Sequence, residues 1–382
     1  MRGSIIRRGV RSWRLKFDAE RAPGAARATK YVTVRGTRKQ AESELARLLT
    51  AADAGTLVEP SKTTVAEFVR VRVDQWEASG DISARTAQRY RQLVENQIVP
   101  QLGAKPLQRL RPLDIEAWHT TLRTSGRVRG KGNLSARTIG HAHRVLGKAL
   151  ADAVKNELIG RNVARLESPP KVTDTDDEMV IVRDVPALME RLQGHALHVP
   201  ALLGLLCGLR LGEVLALRWN CIDLDREVVQ IRETLEQTEA HGIRFKPPKS
   251  KAGRRHIAVP DQMVEALRGY RRDRLALRMQ LGIGRLPDDA LLFTDIDGEP
   301  RTLNAVSRAW SDFAQRIGMP DVTFHALRHS HASQLIDAGV DIVTISKRLG
   351  HAKPDITLRI YAHLFKKDDS KAAAAINAAL KG

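Results

Sequence analysis

The chain has 382 residues, a length that holds two or three domains of roughly 100–200 residues each. Hydrophobic residues make up 42%, enough for ordinary cores and too many for a largely disordered chain, and two cysteines, Cys207 and Cys221, cannot build a disulfide framework. The net charge of +19 points to a polyanionic partner, although an arginine-rich proteome would also give it, so charge alone decides nothing.

Residues 1–60 carry 13 lysines and arginines against 6 acids. SIIRRG, RSWRLKFDA and TKYVTVRG read as short strands separated by turn formers. TRKQAESELARLLTAADAG then reads as a helix, with Thr37 as N-cap and Gly55 at its end. A basic three-stranded sheet with one helix can lie in a DNA major groove; a solvated meander with no partner is the plain alternative. The opening stretch MRGSIIRRGVRSWRLKF lacks the apolar run of a signal peptide.

From 61 to 168 the pattern turns helical. TVAEFVRVRVDQWEAS, SARTAQRYRQLVENQIVPQLG, RPLDIEAWHTTLRTSG and SARTIGHAHRVLGKALADAVKNELI each place apolar residues three and four apart. Arg85, Arg89, Arg91, Arg137, Arg144 and Lys148 punctuate the opposite faces. They suit a second DNA-contacting module, or they simply keep a helical bundle in solution. The basic, glycine-rich loop at 123–135 is expected to order on a phosphate backbone. ESPPKVTDTDDEMV (167–180) has the prolines and acidic run of a linker, so a third domain is expected over 169–382.

That last region is near neutral, since the final 212 residues hold 31 basic against 28 acidic side chains. Helices are expected at about 184–193, 198–207 and 211–217, strands around 227–233 and 255–259, and helices thereafter. The fold class is therefore multidomain and mostly α with small β-sheets (α+β). Cys207 lies in the run VPALLGLLCGL and should be a buried free thiol. That run is about half of a membrane span, so a soluble cytoplasmic protein with no membrane partner is expected.

The chemistry concentrates late in the chain. FHALRHSHAS (324–333) places three histidines and an arginine within seven positions. His325 and His329 stand at i and i+4, open to a metal pair. Yet no glutamate sits ready to activate water, and the arginine between them opposes a metal electrostatically. His325 and Arg328 share a face and can converge on a phosphate, which the planar guanidinium fork suits. A salt-bridged arginine beside surface histidines is the bland alternative. Further on, ISKRLG ends a helix at Gly350 and His351 follows at once. Asp355 or Thr357 can cap the next helix, which carries Tyr361 ten residues after His351. Upstream, CGLRLGEVLALRW sets Arg210 at a helix start with Glu213 one turn on, and KPPKSKAGRRHIAVP reads as strand–turn–strand with Lys249 and Lys251 near its tip.

Together these motifs, in this order and spacing, resemble the tyrosine recombinases of the lambda-integrase family. The resemblance to the catalytic domain runs from about 180 to 368. The helical region looks like that family's core-binding domain and the first 55 residues like its arm-site-binding domain. The resemblance implies DNA cutting and rejoining through a 3′-phosphotyrosyl link. Tyr361 would be the nucleophile, Arg210 and Arg328 the phosphate clamp, and His325 and His351 donors to its oxygens. Lys249 aligns best as the acid that protonates the 5′-oxygen, with Lys251 two residues on as the alternative. Glu213 would orient Arg210, while His329 and His331 have no part in the family pattern and read as packing or surface residues. Tyr31, Tyr90 and Tyr270 lack this context and read as structural.

Such chemistry conserves the phosphodiester energy, so the resemblance implies no cofactor and no metal. It implies double-stranded DNA with core and arm attachment sites, a homotetramer on that DNA, and a host bending factor and excisionase as further partners. The alanine-rich DDSKAAAAINAALKG would dock on a neighbouring subunit or on its own domain. The alternatives are a resolvase or type IB topoisomerase using the same core, or a non-catalytic DNA-binding protein.

Overall fold

Alternation of apolar and basic residues in the first 35 positions produces three antiparallel strands: β1 (Gly3–Gly9), β2 (Ser12–Asp18) and β3 (Thr29–Arg35). The computed structural model describes residues 3–18, 29–53, 61–126, 132–172, 179–364 and 376–380. Leu15 and Phe17 of β2 are buried against Ala41, Leu45 and Leu48 of helix α1 (Arg38–Asp53). Because side chains alternate across a strand, Arg14 takes the other face, stacked on Tyr31 at 4.3 Å. Thr37 caps α1, accepting the Gln40 N–H at 3.3 Å while its own N–H donates to Gln40 Oε1 at 2.8 Å. The expected stop at Gly55 lies outside the described residues.

The next stretch is a helical bundle of α2 (Val65–Ala78), α3 (Ala84–Leu93), α4 (Val99–Leu102), α5 (Pro112–Ser125) and α6 (Ala136–Lys155). A π-helical turn, Val94–Ile98, joins α3 to α4 and lets the chain pass Pro100 while staying helical. Trp76, Trp118, Ile115 and Leu146 lie in its core. Arg91 and Lys148, expected on the outer faces, serve the bundle itself. Arg91 pairs with Asp74 at 2.7 Å and Glu77 at 2.6 Å, and Lys148 lies 4.1 Å over the Trp76 ring. Arg85, Arg89, Arg137 and Arg144 are exposed. Within the glycine-rich loop, residues 127–131 lie outside the described residues.

The chain divides into two units, Met1–Thr173 and Asp174–Gly382. The second opens with α7 (Val185–Leu192), α8 (His198–Cys207), which is apolar after its first residue, and the short α9 (Leu211–Leu215). Strands β4 (Ile222–Asp223), β5 (Val228–Ile231), β6 (Thr234–Thr238), β7 (Gly242–Lys246) and β8 (Arg255–Ala258) follow. The segment read as strand–turn–strand around Lys249 is not a hairpin. β7 pairs with β6, whereas β8 pairs with β5, so residues 247–254 cross between two sheets. Pro247 and Pro248 lack N–H donors and cannot continue a ladder, which is the physical reason β7 stops at Lys246. Helices α10 (Asp261–Gln280), α11 (Leu303–Arg316), α12 (Phe324–Asp337), α13 (Ile342–Leu349) and α14 (Pro354–Tyr361) complete the unit.

The core of the second unit gathers α8, α12 and the β5–β8 pair, with Trp310 and Phe293 among its large members. A smaller cluster of Ala332, Ile336, Ile345, Leu349 and Tyr361 joins α12, α13 and α14. Cys207 is a buried free thiol whose pKa burial pushes up to about 12. Among the described residues no helix is long and apolar enough to cross a membrane. Most of the alanine-rich tail lies outside the described residues; 376–380 are helical and exposed.

Candidate active site

Helix α8 ends at Gly208, whose left-handed backbone (φ 68°) turns the chain toward α9. Arg210 is the N-cap of α9, and Glu213 at its third position reaches back to it twice. The Glu213 carboxylate accepts the Arg210 backbone N–H at 3.1 Å and its Nη1 at 2.9 Å. From the other side Arg255 of β8 donates Nη2 to Oε2 at 2.9 Å and Nη1 to Oε1 at 3.2 Å. Glu213 is only 4% exposed. Burial pushes its pKa up, but the Arg255 hydrogen bonds and the charges of Arg255 and Arg210 outweigh that, and the net shift is downward. This carboxylate holds Arg210 in place, while 39% of the Arg210 side chain stays open to solvent.

Arg328 is different in kind. It stands mid-helix on α12, capped at its start by Thr323, and is 2% exposed. Its Nη1 donates to Gly208 O at 2.6 Å, and its Nη2 donates to Leu349 O at 2.7 Å and to His351 Nε2 at 3.0 Å. Burial, followed by the charge of Arg210, lowers its pKa to about 9. Arg210 Nη1 reaches the same Leu349 carbonyl at a long 3.5 Å. Two guanidinium groups thus meet at one oxygen, the last carbonyl of α13.

The exit of α13 supplies the next group. Gly350 is left-handed (φ 68°), and a Cβ there would stand 2.8 Å from Arg255 Nη1 and 3.1 Å from Ala252 O. The Lys251–Gly253 turn therefore sits directly against the chain that presents His351. Arginine nitrogens only donate, so His351 Nε2 accepts from Arg328; its Nδ1 then carries the proton and donates to Thr357 Oγ1 at 2.7 Å. Burial and the nearby arginines lower the His351 pKa to about 4. His325, on the first turn of α12, is exposed; desolvation on its inner side, then Arg328 and Arg210, hold its pKa below the usual imidazole range.

Tyr361 ends α14 and is 1% exposed. Its hydroxyl lies 2.9 Å from His329 Nδ1, and the two rings meet edge-on with centroids 5.7 Å apart. Burial pushes its pKa up to about 12, although Arg328 and Arg210 pull the other way. The structure thus gathers Arg210, Arg328, His351 and Tyr361 about the junction of α9, α12, α13 and α14, with His325 one turn before Arg328. Lys249 and Lys251 are both exposed on the segment joining β7 to β8.

Three residues of this cluster escaped the sequence reading. His329, read as packing or surface, touches the Tyr361 hydroxyl. Arg255 anchors Glu213. Thr357 caps no helix: α14 opens on Pro354 with Lys353 as N-cap, Asp355 falls in its first turn, and Thr357 lies wholly buried against His351. Pro354 fits the first helical position because its missing N–H would have no helical partner there. The i, i+4 spacing of His325 and His329 was the one available signal, and it suggested a metal more readily than a phenol. Among the described residues no three His, Cys, Asp or Glu side chains group to hold a metal ion. His331 is a packing residue, with Nδ1 3.1 Å from Leu205 O and Nε2 accepting from Arg348 Nε at 3.0 Å.

The sequence pattern of the Phage integrase family matches residues 180–368, and that of the phage integrase N-terminal SAM-like domain matches residues 71–123. A tyrosine recombinase XerC-like protein of Caldanaerobacter subterraneus is 28% identical over 58% of this chain, and the match spans 60% of that relative's length. An integrase of Streptomyces ambofaciens is 27% identical over 85% of this chain and 82% of its own. In fold, the chain is similar to the Tn1549 transposon integrase in complex with a circular intermediate DNA, with a TM-score of 0.66 and 20% identity over 83% of this chain and 99% of that one. It is also similar to a lambda integrase in a tetramer bound to a Holliday junction, with a TM-score of 0.52 and 17% identity over 92% and 96% of the two chains.

Proposed function

As the chain belongs to the phage integrase family, we propose that it is a site-specific tyrosine recombinase that integrates and excises a mobile element by cutting and rejoining DNA. The observation that carries this reading is the meeting of Arg210 and Arg328 at Leu349 O. Like charges held this close repel, and a bound phosphate would relieve them. In the five-coordinate transition state of phosphoryl transfer, extra negative charge gathers on the equatorial oxygens, where two fixed guanidinium groups stabilise it most.

In the reaction, Tyr361 attacks phosphorus and its phenolic proton departs. The 3′-phosphotyrosyl bond forms as the bond to the 5′-oxygen breaks. His325 and His351 donate to the non-bridging oxygens. Lys249 protonates the leaving 5′-oxygen, and the neighbouring Lys251 is the competing donor. Attack requires the phenol to leave its buried seat beside His329. The helical bundle grips the core site through Arg89, Arg137 and Arg144, and the sheet at residues 1–60 reads arm sites. Strand exchange between two duplexes takes four protomers, and a host bending factor and an excisionase are expected partners.

The test uses nicked duplexes tiled across the DNA flanking this protein's own gene. Wild-type protein should leave a denaturant-resistant protein–DNA adduct on one of them, with chelator present. Tyr361→Phe should bind the same duplex and leave none. Binding without an adduct, on a tiling that includes the site, would make the protein a catalytically silent DNA binder.

A further inference from the structure

Thr357 is wholly buried on α14, one helical turn before Tyr361, and its hydroxyl has a single described ring partner, His351 Nδ1 at 2.7 Å. In the DNA-free protein the direction of that bond is fixed, because Arg328 donates to the opposite ring nitrogen and cannot accept. Nδ1–H is therefore the donor and Thr357 the acceptor. This protonation is the wrong one for catalysis. To donate to a phosphate oxygen, neutral His351 must carry its proton on Nε2, which leaves Nδ1 as a bare acceptor facing the wholly buried Thr357.

From this geometry we propose that Thr357 is a positioning residue for His351, reversing its hydroxyl from acceptor to donor as Arg328 turns from the histidine to the scissile phosphate. The inference rests on the reading of His351 as a phosphate donor given above. A hydroxyl is one of the few side-chain groups able to serve both ring states from one position without moving its carbon atoms. The proton count is unchanged: solvent protonates Nε2 once Arg328 has turned away, the half-buried imidazolium returns its Nδ1 proton to solvent, and the hydroxyl hydrogen rotates into the vacated bond. Because Thr357 and Tyr361 share α14, the same hydroxyl ties the histidine to the helix that carries the nucleophile.

Thr357→Val keeps the shape of the side chain and removes the hydroxyl, while Thr357→Ser restores the hydroxyl. On the duplex that traps the wild type, Thr357→Val should bind with unchanged affinity and form adduct at least ~10-fold more slowly in a single turnover, a fold-change readily resolved from its folding controls. Thr357→Ser should return to within about 3-fold of the wild-type rate, since the hydrogen bond is remade. Imidazole ¹⁵N spectra of the DNA-free wild type, with His351 assigned through His351→Gln, should show the Nδ1–H tautomer. A wild-type rate in Thr357→Val, failure of serine to rescue it, or an Nε2–H tautomer in the free protein would each overturn the proposal while leaving the recombinase reading intact. Absence of any wild-type adduct would instead remove that reading and this inference together.

Discussion

The Tyr361 hydroxyl lies 2.9 Å from His329 Nδ1, deep in the cluster that joins α12, α13 and α14. The phenol is thus stowed in the free protein, and the pKa of about 12 means that phenolate at pH 8 is about 100-fold scarcer than for an ordinary phenol. A phenolate-directed nitrating reagent should therefore modify Tyr31, which is 50% exposed, well before Tyr361. Mass spectrometry of the digested protein reads both sites at once. Equal nitration of the two would mean that Tyr361 is open to solvent.

How much of this was legible beforehand follows from what each feature depends on. Arg210, Arg328, His351 and Tyr361 stand in motifs whose order and spacing survive in one dimension, and the helix boundaries of α8 and α13 follow from apolar periodicity ended by glycine. The Lys249 segment was misread because a basic turn between two apolar runs looks the same whether its strands pair with each other or with two different sheets. His329, Arg255 and Thr357 were invisible for a related reason. Their partners lie 32, 42 and 6 residues away, and only packing of α12, β8 and α14 brings them together. Nothing local distinguishes a buried hydroxyl that serves a histidine from a helix cap.

Arg210 and Arg328 should separate cleanly in stability although the proposed function needs both for cleavage. Arg328→Ala strands the Gly208 carbonyl in a buried site and leaves Leu349 O only the long contact from Arg210, which together should cost about 2–4 kcal/mol. Arg210→Ala leaves Glu213 still paired with Arg255 and should cost about 1 kcal/mol or less. Chemical denaturation of the two variants measures the difference directly. DNA affinity should stay near wild type in both, because phosphate contacts are spread over many basic groups. Equal stability losses would mean that Arg328 is not the structural anchor its contacts describe.

Glu213 predicts an acid limb in the stability profile. Its folded pKa is lowered, so its contribution is fully present above the usual carboxylate range and is lost as pH falls through the depressed value. The melting temperature should hold down to about pH 5 and fall below about pH 4. Glu213→Gln should be less stable at neutral pH by about 3 kcal/mol, since it leaves Arg255 buried without its counter-charge. It should also lose part of the steep acid limb. An unchanged limb in the variant would place the responsible carboxylate elsewhere.

Gly208 is where a single methyl group should do most damage. Its left-handed backbone disfavours any Cβ, and one built there would stand 2.6 Å from His331 Cδ2 and 3.0 Å from Leu349 Cδ2. The same residue offers the carbonyl that Arg328 grips. Gly208→Ala should therefore lose about 2 kcal/mol or more and slow adduct formation with it. Gly194→Ala supplies the control, because it carries the same left-handed strain (φ 69°) with open space around the added carbon. If both variants lost equally, the strain alone would be responsible and the packing against His331 would count for nothing.

The bundle offers a test of DNA binding that needs no catalysis. Arg89 of α3 with Arg137 and Arg144 of α6 surround His141, whose pKa is lowered by desolvation and then by Arg144, Arg89 and Arg137. Positive potential of that density, on exposed side chains, attracts phosphate oxygens. Each phosphate contact releases counterions and adds about 0.9 to the slope of log affinity against log salt. Arg89→Ala and Arg144→Ala should each lower that slope by about one while weakening binding on all sequences alike. Arg91, one turn and a half from Arg85 on the same helix, should behave otherwise. Its guanidinium is committed to Asp74 and Glu77, so Arg91→Ala should leave the slope unchanged. A slope that fell equally for Arg91→Ala would mean that net charge alone, rather than the placement of these side chains, governs the affinity.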